Sequence, residues 1–207
     1  SLALAAVIAG LCTLTPAFAD YDPGFSVEAE SVYFINLDTG KVLYEKDADK
    51  KVYPASTTKI MTALLALEKI PDLDTPQIEL KLYIQNALNG TGASLAGILR
   101  GETFTPRELL YASLLPSGNE AAMMLGDYVG DGSLDYFAEM MNEKAAGLGA
   151  VNTHFVNPSG MHDDDHYTTA YDMYLITRAA LENETFREIV GTSYYYAGED
   201  QNGNPLH

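Results

Sequence analysis

One cysteine occurs in the 207 residues, at position 12. A lone thiol closes no intrachain disulfide, so a disulfide scaffold is excluded. Basic residues are also few: 12 lysines and arginines stand against 29 aspartates and glutamates, for a net charge of −17. A chain of that sign repels phosphate backbones, which excludes nucleic acid as a natural partner. The apolar run "LALAAVIAGL" at 2–11 falls far short of the roughly 20 residues that a membrane-spanning helix needs. It also lacks an initiator Met and a basic leader in front of it. Pro16 and the small-x-small pattern Ala17-Phe18-Ala19 follow. Together these read as a secretory signal entered part-way through, cleaved after Ala19, with the mature chain starting near Asp20. The protein is therefore expected outside the cytoplasm. Cys12 lies within that signal, and the bulk of Leu11 before it disfavours lipid attachment, so the mature chain carries no thiol.

What is present suits one globular domain. The length allows a single real core, and 47% apolar residues is ordinary for a folded protein. "SVYFINL" (31–37) and "KVLYEK" (41–46) are rich in strand formers around Asp38-Thr39-Gly40, which predicts a β-hairpin. Pro54 breaks the strand pattern. From Ser56 the residues suit a helix with Ile60, Met61, Leu64, Leu65 and Leu67 on a broad apolar face, ended by Pro71. "QIELKLYI" (77–84) reads as a short strand and "NGTGAS" (89–94) as a turn region. Thr105-Pro106-Arg107-Glu108 is a helix start with a Thr cap, Pro first and Glu third, running to about Leu115. Further helices are predicted near 119–129, 133–146, 168–182 and 185–190, with Met123, Met124, Met140 and Met141 as core material, then a strand over "TSYYYAG" (192–198). Strands, a long helical block and a returning strand make an α+β arrangement whose chain ends share a sheet.

Two short stretches carry chemistry. In "YPASTTKIMTALLALEKI" (53–70), Ser56 and Lys59 stand three apart where the helix begins, on one face. A serine hydroxyl is a weak nucleophile until a base takes its proton. Lysine, with an ordinary pKa of about 10.4, serves as that base only when burial or a neighbouring cation strips its charge. The helix N-terminus adds oriented N–H groups that favour an oxyanion. Ser-x-x-Lys arises by chance about once in a chain this long, and on this motif alone a capping serine beside a solvated lysine is the better reading. In "LLPSGNEAA" (114–122), Ser117-Gly118-Asn119 occupies a helix-to-helix corner where both polar side chains can point into one cleft; alone, it is also an ordinary turn.

The ordered pair, about 60 residues apart, is far more specific. Ser-x-x-Lys with Ser-Asp-Asn and Lys-Thr-Gly marks β-lactamases and penicillin-binding proteins. Residues 29–68, 97–122 and 153–173 read throughout like one branch of that group. The chain closely resembles the serine D-alanyl-D-alanine carboxypeptidases, the low-molecular-mass penicillin-binding proteins, over the mature segment. The resemblance implies a β-lactamase/transpeptidase-like fold: an antiparallel sheet flanked by helices, with an all-helical subregion, over residues 20–207. It implies no cofactor, a peptidoglycan stem peptide ending in D-Ala-D-Ala as substrate, and acylation by β-lactams. Ser56 would be the nucleophile and Lys59 its base. Ser117 would relay a proton to the leaving D-alanine, and Asn119 would bind the substrate amide and orient Lys59. The Ser56 N–H would give half of the oxyanion hole.

The Lys-Thr-Gly element is absent from the 207 residues. The resemblance places it past "NGNPLH", so the sequence is expected to be a fragment with an incomplete sheet, inactive or nearly so alone, and any membrane anchor would follow the missing part. A serine β-lactamase is the first alternative; Gly118 in place of the usual Asp, and the lack of a Glu-x-x-Leu-Asn element, argue against it. A non-catalytic wall-binding protein of the same fold is the second, opposed by the intact Ser56, Lys59, Ser117 and Asn119. "HDDDH" (162–166) invites a metal site, but its histidines sit in a loop opening with "NPSG" and lack a third well-spaced ligand beyond His154, so a polar loop leading to a Thr168 or Thr169 helix cap is the better reading.

Overall fold

The structure is a computed structural model that describes Gly24 and residues 26–196. The expected signal at 1–19, Cys12, and the end of the last expected strand lie outside the described residues. Strands β1 (Val32–Asn36) and β2 (Lys41–Lys46) pair antiparallel, with a register shift between Phe34 and Ile35. The turn is closed by Asn36, whose Oδ1 accepts from the N–H and the hydroxyl of Thr39. Gly40 follows in the left-handed region at φ 67°. The expected hairpin is thus present, with its predicted turn chemistry.

Helix α1 (Thr58–Lys69) is buried on nearly every side from Thr58 to Ala66, not along one face alone. An all-round buried helix lies at the centre of a fold. It contacts α3 (Pro106–Leu114), α4 (Asn119–Val129), α5 (Leu134–Gly147), α6 (Ala170–Leu181) and α7 (Glu184–Val190). α4 is equally buried from Asn119 to Asp127 and packs directly on α1. Alanines 63, 66, 121 and 122 supply small surfaces, while Met61, Leu64, Leu65, Met124, Leu125, Phe137 and Met141 fill the core. Each such large side chain contributes about 1.5–3 kcal/mol by leaving water. Tyr33 anchors the hairpin to α6, with ring centroids 5.2 Å from Tyr171 and 5.1 Å from Tyr174.

Local signals place the other helices as expected. Thr105 and Glu108 form a reciprocal capping box ahead of Pro106. Ser133, Thr169 and Asn183 cap α5, α6 and α7 through their side-chain oxygens. Two strand expectations are corrected. Within 77–84 only β3 (Ile78–Glu79) is extended, paired with β4 (Thr103–Phe104), and helix α2 (Leu82–Leu88) follows. Ile84 and Leu88 are both buried, so the i, i+4 period overrides the strand reading. The described part of 192–198 forms no strand; Tyr195 instead stacks on Tyr111 at 3.7 Å and 4°. The chain ends therefore share no sheet among the described residues, and β1–β2 and β3–β4 are separate two-stranded ladders. The architecture is α+β with a small strand component.

Candidate active site

Ser56 stands in a single 3-10 turn, Ala55–Thr57, directly before α1. Buried Pro54 leads into it and accepts from the Thr57 hydroxyl at 2.7 Å. Ala55 adopts φ 47°, a left-handed conformation that costs a non-glycine residue about 1–2 kcal/mol. That strained step turns Ser56 outward, where it is exposed, while Lys59 one turn later is only 2% exposed.

The Lys59 amine meets three oxygens. Nζ lies 3.2 Å from Ser56 Oγ, 2.5 Å from Asn119 Oδ1 and 2.7 Å from the Ser159 carbonyl. An amide oxygen and a carbonyl oxygen only accept; a hydroxyl both donates and accepts. A neutral amine has two N–H donors and one lone pair. It therefore satisfies Asn119 and Ser159 with its donors and leaves its lone pair for the Ser56 hydroxyl. Burial pulls the Lys59 pKa down to about 8, overcoming the opposing pull of the Glu120 carboxylate.

The second predicted corner closes over this pair. Asn119 begins α4, and its N–H donates to the Ser94 carbonyl at 2.9 Å. Ser117 sits at φ 63°, and its Oγ is buried with no hydrogen-bond partner. It lines the same cleft of about 430 Å³ as Ser56 and Lys59, with Ile60 and Leu114 among the apolar walls. The structure brings Ser56 and Asn119 together on the Lys59 amine, while Ser117 shares the cleft with Ser56 and Lys59 without bonding to them. A Cβ on Gly118 would lie 2.7 Å from the Ala112 carbonyl and 2.8 Å from the Ala96 side chain. The aspartate usual in β-lactamases has no room there.

Three contributors escaped the sequence reading. Glu120, 2% exposed, accepts through Oε1 from the N–H groups of Ala96, Gly97 and Ile98 at 2.6, 2.9 and 3.3 Å, tying that segment to the corner. The Ser159 carbonyl is a backbone group, and nothing in residue identity announces it. His166, 2% exposed, accepts at Nδ1 from the Val156 N–H at 3.1 Å, so Nε2 carries the proton and donates to Thr58 Oγ1 at 2.8 Å. Burial lowers its pKa to about 4, keeping it neutral. The "HDDDH" histidines diverge: His162 faces solvent and packs edge-on against Tyr53, while His166 points into the core. Among the described residues no three His, Cys, Asp or Glu side chains gather to hold a metal. As expected, the loop leads to a Thr169 cap.

A hydroxyl, an amine of lowered pKa and a second hydroxyl lining one cleft, with an amide holding the amine, are the groups that acyl transfer through serine requires, here on an α+β fold of the β-lactamase/transpeptidase-like kind. The family profile described as D-alanyl-D-alanine carboxypeptidase (Peptidase_S11) matches residues 17–203, and the chain belongs to that family. It is 35% identical to D-alanyl-D-alanine carboxypeptidase DacF of Bacillus subtilis over 206 aligned positions, covering 95% of this chain and 52% of that protein. It is 36% identical to a D-alanyl-D-alanine carboxypeptidase of Streptomyces sp. (strain K15), covering 93% of this chain and 67% of that protein. The crystal structure of the Streptomyces K15 DD-transpeptidase superposes with a TM-score of 0.80 at 35% identity, covering 87% of this chain and 71% of that one. The chain thus spans 52% and 67% of the lengths of these two curated relatives.

Proposed function

We propose that the full-length protein is an exported serine D-alanyl-D-alanine carboxypeptidase. It removes the terminal D-alanine from peptidoglycan stem peptides through an acyl-enzyme and is acylated by β-lactams. The observation that carries this reading is the Lys59 amine held between two obligate acceptors with the Ser56 hydroxyl 3.2 Å away. Lys59 takes the Ser56 proton as Oγ attacks the carbonyl carbon of the penultimate D-alanine. The Ser56 N–H stabilises the resulting oxyanion. The peptide C–N bond then breaks, and Ser117 passes the proton held by Lys59 to the departing amine, leaving Lys59 neutral again. Asn119 binds the substrate amide while holding Lys59. A water molecule attacks the ester, gives its proton back through Lys59, and frees Ser56. Aminolysis of the same acyl-enzyme would be transpeptidation, the activity in the name of the Streptomyces K15 structure; in our reading water is the acceptor.

We further propose that residues 1–19 act as an export signal and that the site works outside the cytoplasm. Among the described residues no helix is long and apolar enough to cross a membrane.

The test is to incubate the full-length protein with benzylpenicillin and weigh it. One covalent adduct on Ser56, absent from Ser56→Ala, is expected. An unmodified protein, or equal labelling of the variant, overturns the reading. Rapid turnover of the antibiotic in place of a persistent adduct would favour the β-lactamase alternative.

A further inference from the structure

The Ser159 carbonyl aims the Lys59 lone pair, yet a carbonyl is only as well placed as the loop that carries it. That loop is tied by one side chain. Asn157 Oδ1 accepts from the N–H groups of Ser159, Gly160 and Met161 at 3.1, 2.8 and 3.1 Å, and from the Ser159 hydroxyl at 3.3 Å. Its Nδ2 donates to the Met161 carbonyl at 2.8 Å. Both ends of one amide thus hold residues 159–161 in a closed turn.

Successive residues of this turn dock on the first turns of α1. The Pro158 carbonyl accepts from the Thr62 hydroxyl at 2.7 Å, and the Ser159 carbonyl from Lys59 at 2.7 Å. Gly160, at φ 84°, lies so close that an added Cβ would overlap the Ala55 carbonyl and come 3.0 Å from Thr58 Oγ1. The other end of the loop is pinned through His166 to Thr58. The titratable group acting on the amine is Glu120 on α4; His166, held neutral, bonds Thr58 rather than the amine.

We propose that Asn157 is a positioning residue for the reaction: by closing the 157–161 turn it fixes the Ser159 carbonyl, which orients the Lys59 lone pair toward Ser56 and keeps water from the amine. Asn157 touches neither substrate nor nucleophile and acts through Ser159. The inference rests on the reading of Lys59 as the base. A misplacement of about 1 Å in such a constellation lowers rates by roughly 100-fold.

The experiment follows the rate of benzylpenicillin acylation against pH in the full-length protein. Wild-type protein that is not acylated would sink the base reading itself, separately from this inference. With wild type acylated, Asn157→Ala is expected to have a plateau lowered by about 10- to 100-fold. Its rising limb should move to higher pH, because a loosened turn admits water and returns the lysine toward its ordinary pKa. Asn157→Asp, which keeps an oxygen for the three N–H groups, is expected to restore the plateau. If Asn157→Ala does not fold, Asn157→Ser, with a shorter acceptor, takes its place with the same expected displacement. A limb at the wild-type position in the variant that folds overturns the proposal, whatever the change in melting temperature.

Discussion

The lowered pKa of Lys59 predicts how acylation depends on pH. The amine must be neutral to accept the Ser56 proton, and burial sets its pKa at about 8. At pH 7 about a tenth of such amines are neutral, against about one in 3000 for a lysine with the ordinary value. The benzylpenicillin acylation rate should therefore climb about tenfold from pH 7 to a plateau above pH 9, with unit slope on a logarithmic plot below pH 8. Stopped-flow mixing or timed quenching with mass detection measures it, and a carbon-13 NMR titration of the lysine side chain reads the same pKa independently. A rate that is flat between pH 6.5 and 9.5, or one still rising with a midpoint near 10.5, refutes the assignment of the base. The same shift has a stability consequence. The unfolded chain binds a proton here that the folded one releases between pH 8 and 10.5, so stability rises with pH across that window. At pH 7 the buried ammonium costs about 3 kcal/mol. Lys59→Met removes that cost but leaves Asn119 Oδ1 and the Ser159 carbonyl without a donor, at about 1–3 kcal/mol each. Acylation should vanish while the melting temperature barely moves.

Other outcomes follow from neighbouring features. His166 is held neutral, with a pKa of about 4, so the unfolded chain takes up its proton first. Stability should fall by up to about 3 kcal/mol as pH drops from 6.5 to 4, and His166→Gln should flatten that slope in urea titrations. Thr105→Ala removes the hydroxyl that accepts from the Glu108 N–H and should cost about 1 kcal/mol in thermal unfolding, with acylation unchanged. Gly160→Ala forces a side chain into the Ala55 carbonyl at a left-handed position; a loss of about 2 kcal/mol or more and slower acylation are expected. Phe137→Ala empties a fully buried site against Gly126 and should cost about 3–5 kcal/mol, read from chemical denaturation.

Much of this was legible from local chemistry. The Asp38-Thr39-Gly40 turn, the Thr105-Pro106-Glu108 helix start, and the i, i+3 placement of Ser56 and Lys59 depend on a few adjacent residues, and the structure keeps all of them. The reading failed where distant partners decide. "QIELKLYI" satisfies both a two-residue and a four-residue apolar period, and only packing against the core selects the helical one after Leu80. Tyr195 carries strand propensity, but Tyr111 offers it a ring to stack on. The all-round burial of α1, which is what lowers the Lys59 pKa, follows from the helices packed around it and not from its own apolar face. Ser159 contributes a carbonyl, which every residue has, so its role had no signature beyond the tight Asn157-Pro158-Ser159-Gly160 turn.

The three oxygens around the lysine nitrogen come from residues 3, 60 and 100 positions away along the chain. Closing contacts of such separation is slow and entropically demanding. The reactive serine is consequently assembled only in molecules whose distant segments have all docked. A covalent inhibitor would count those molecules and pass over partly folded ones, so the labelled fraction of a refolding sample would serve as a clock for the arrival of the last segment.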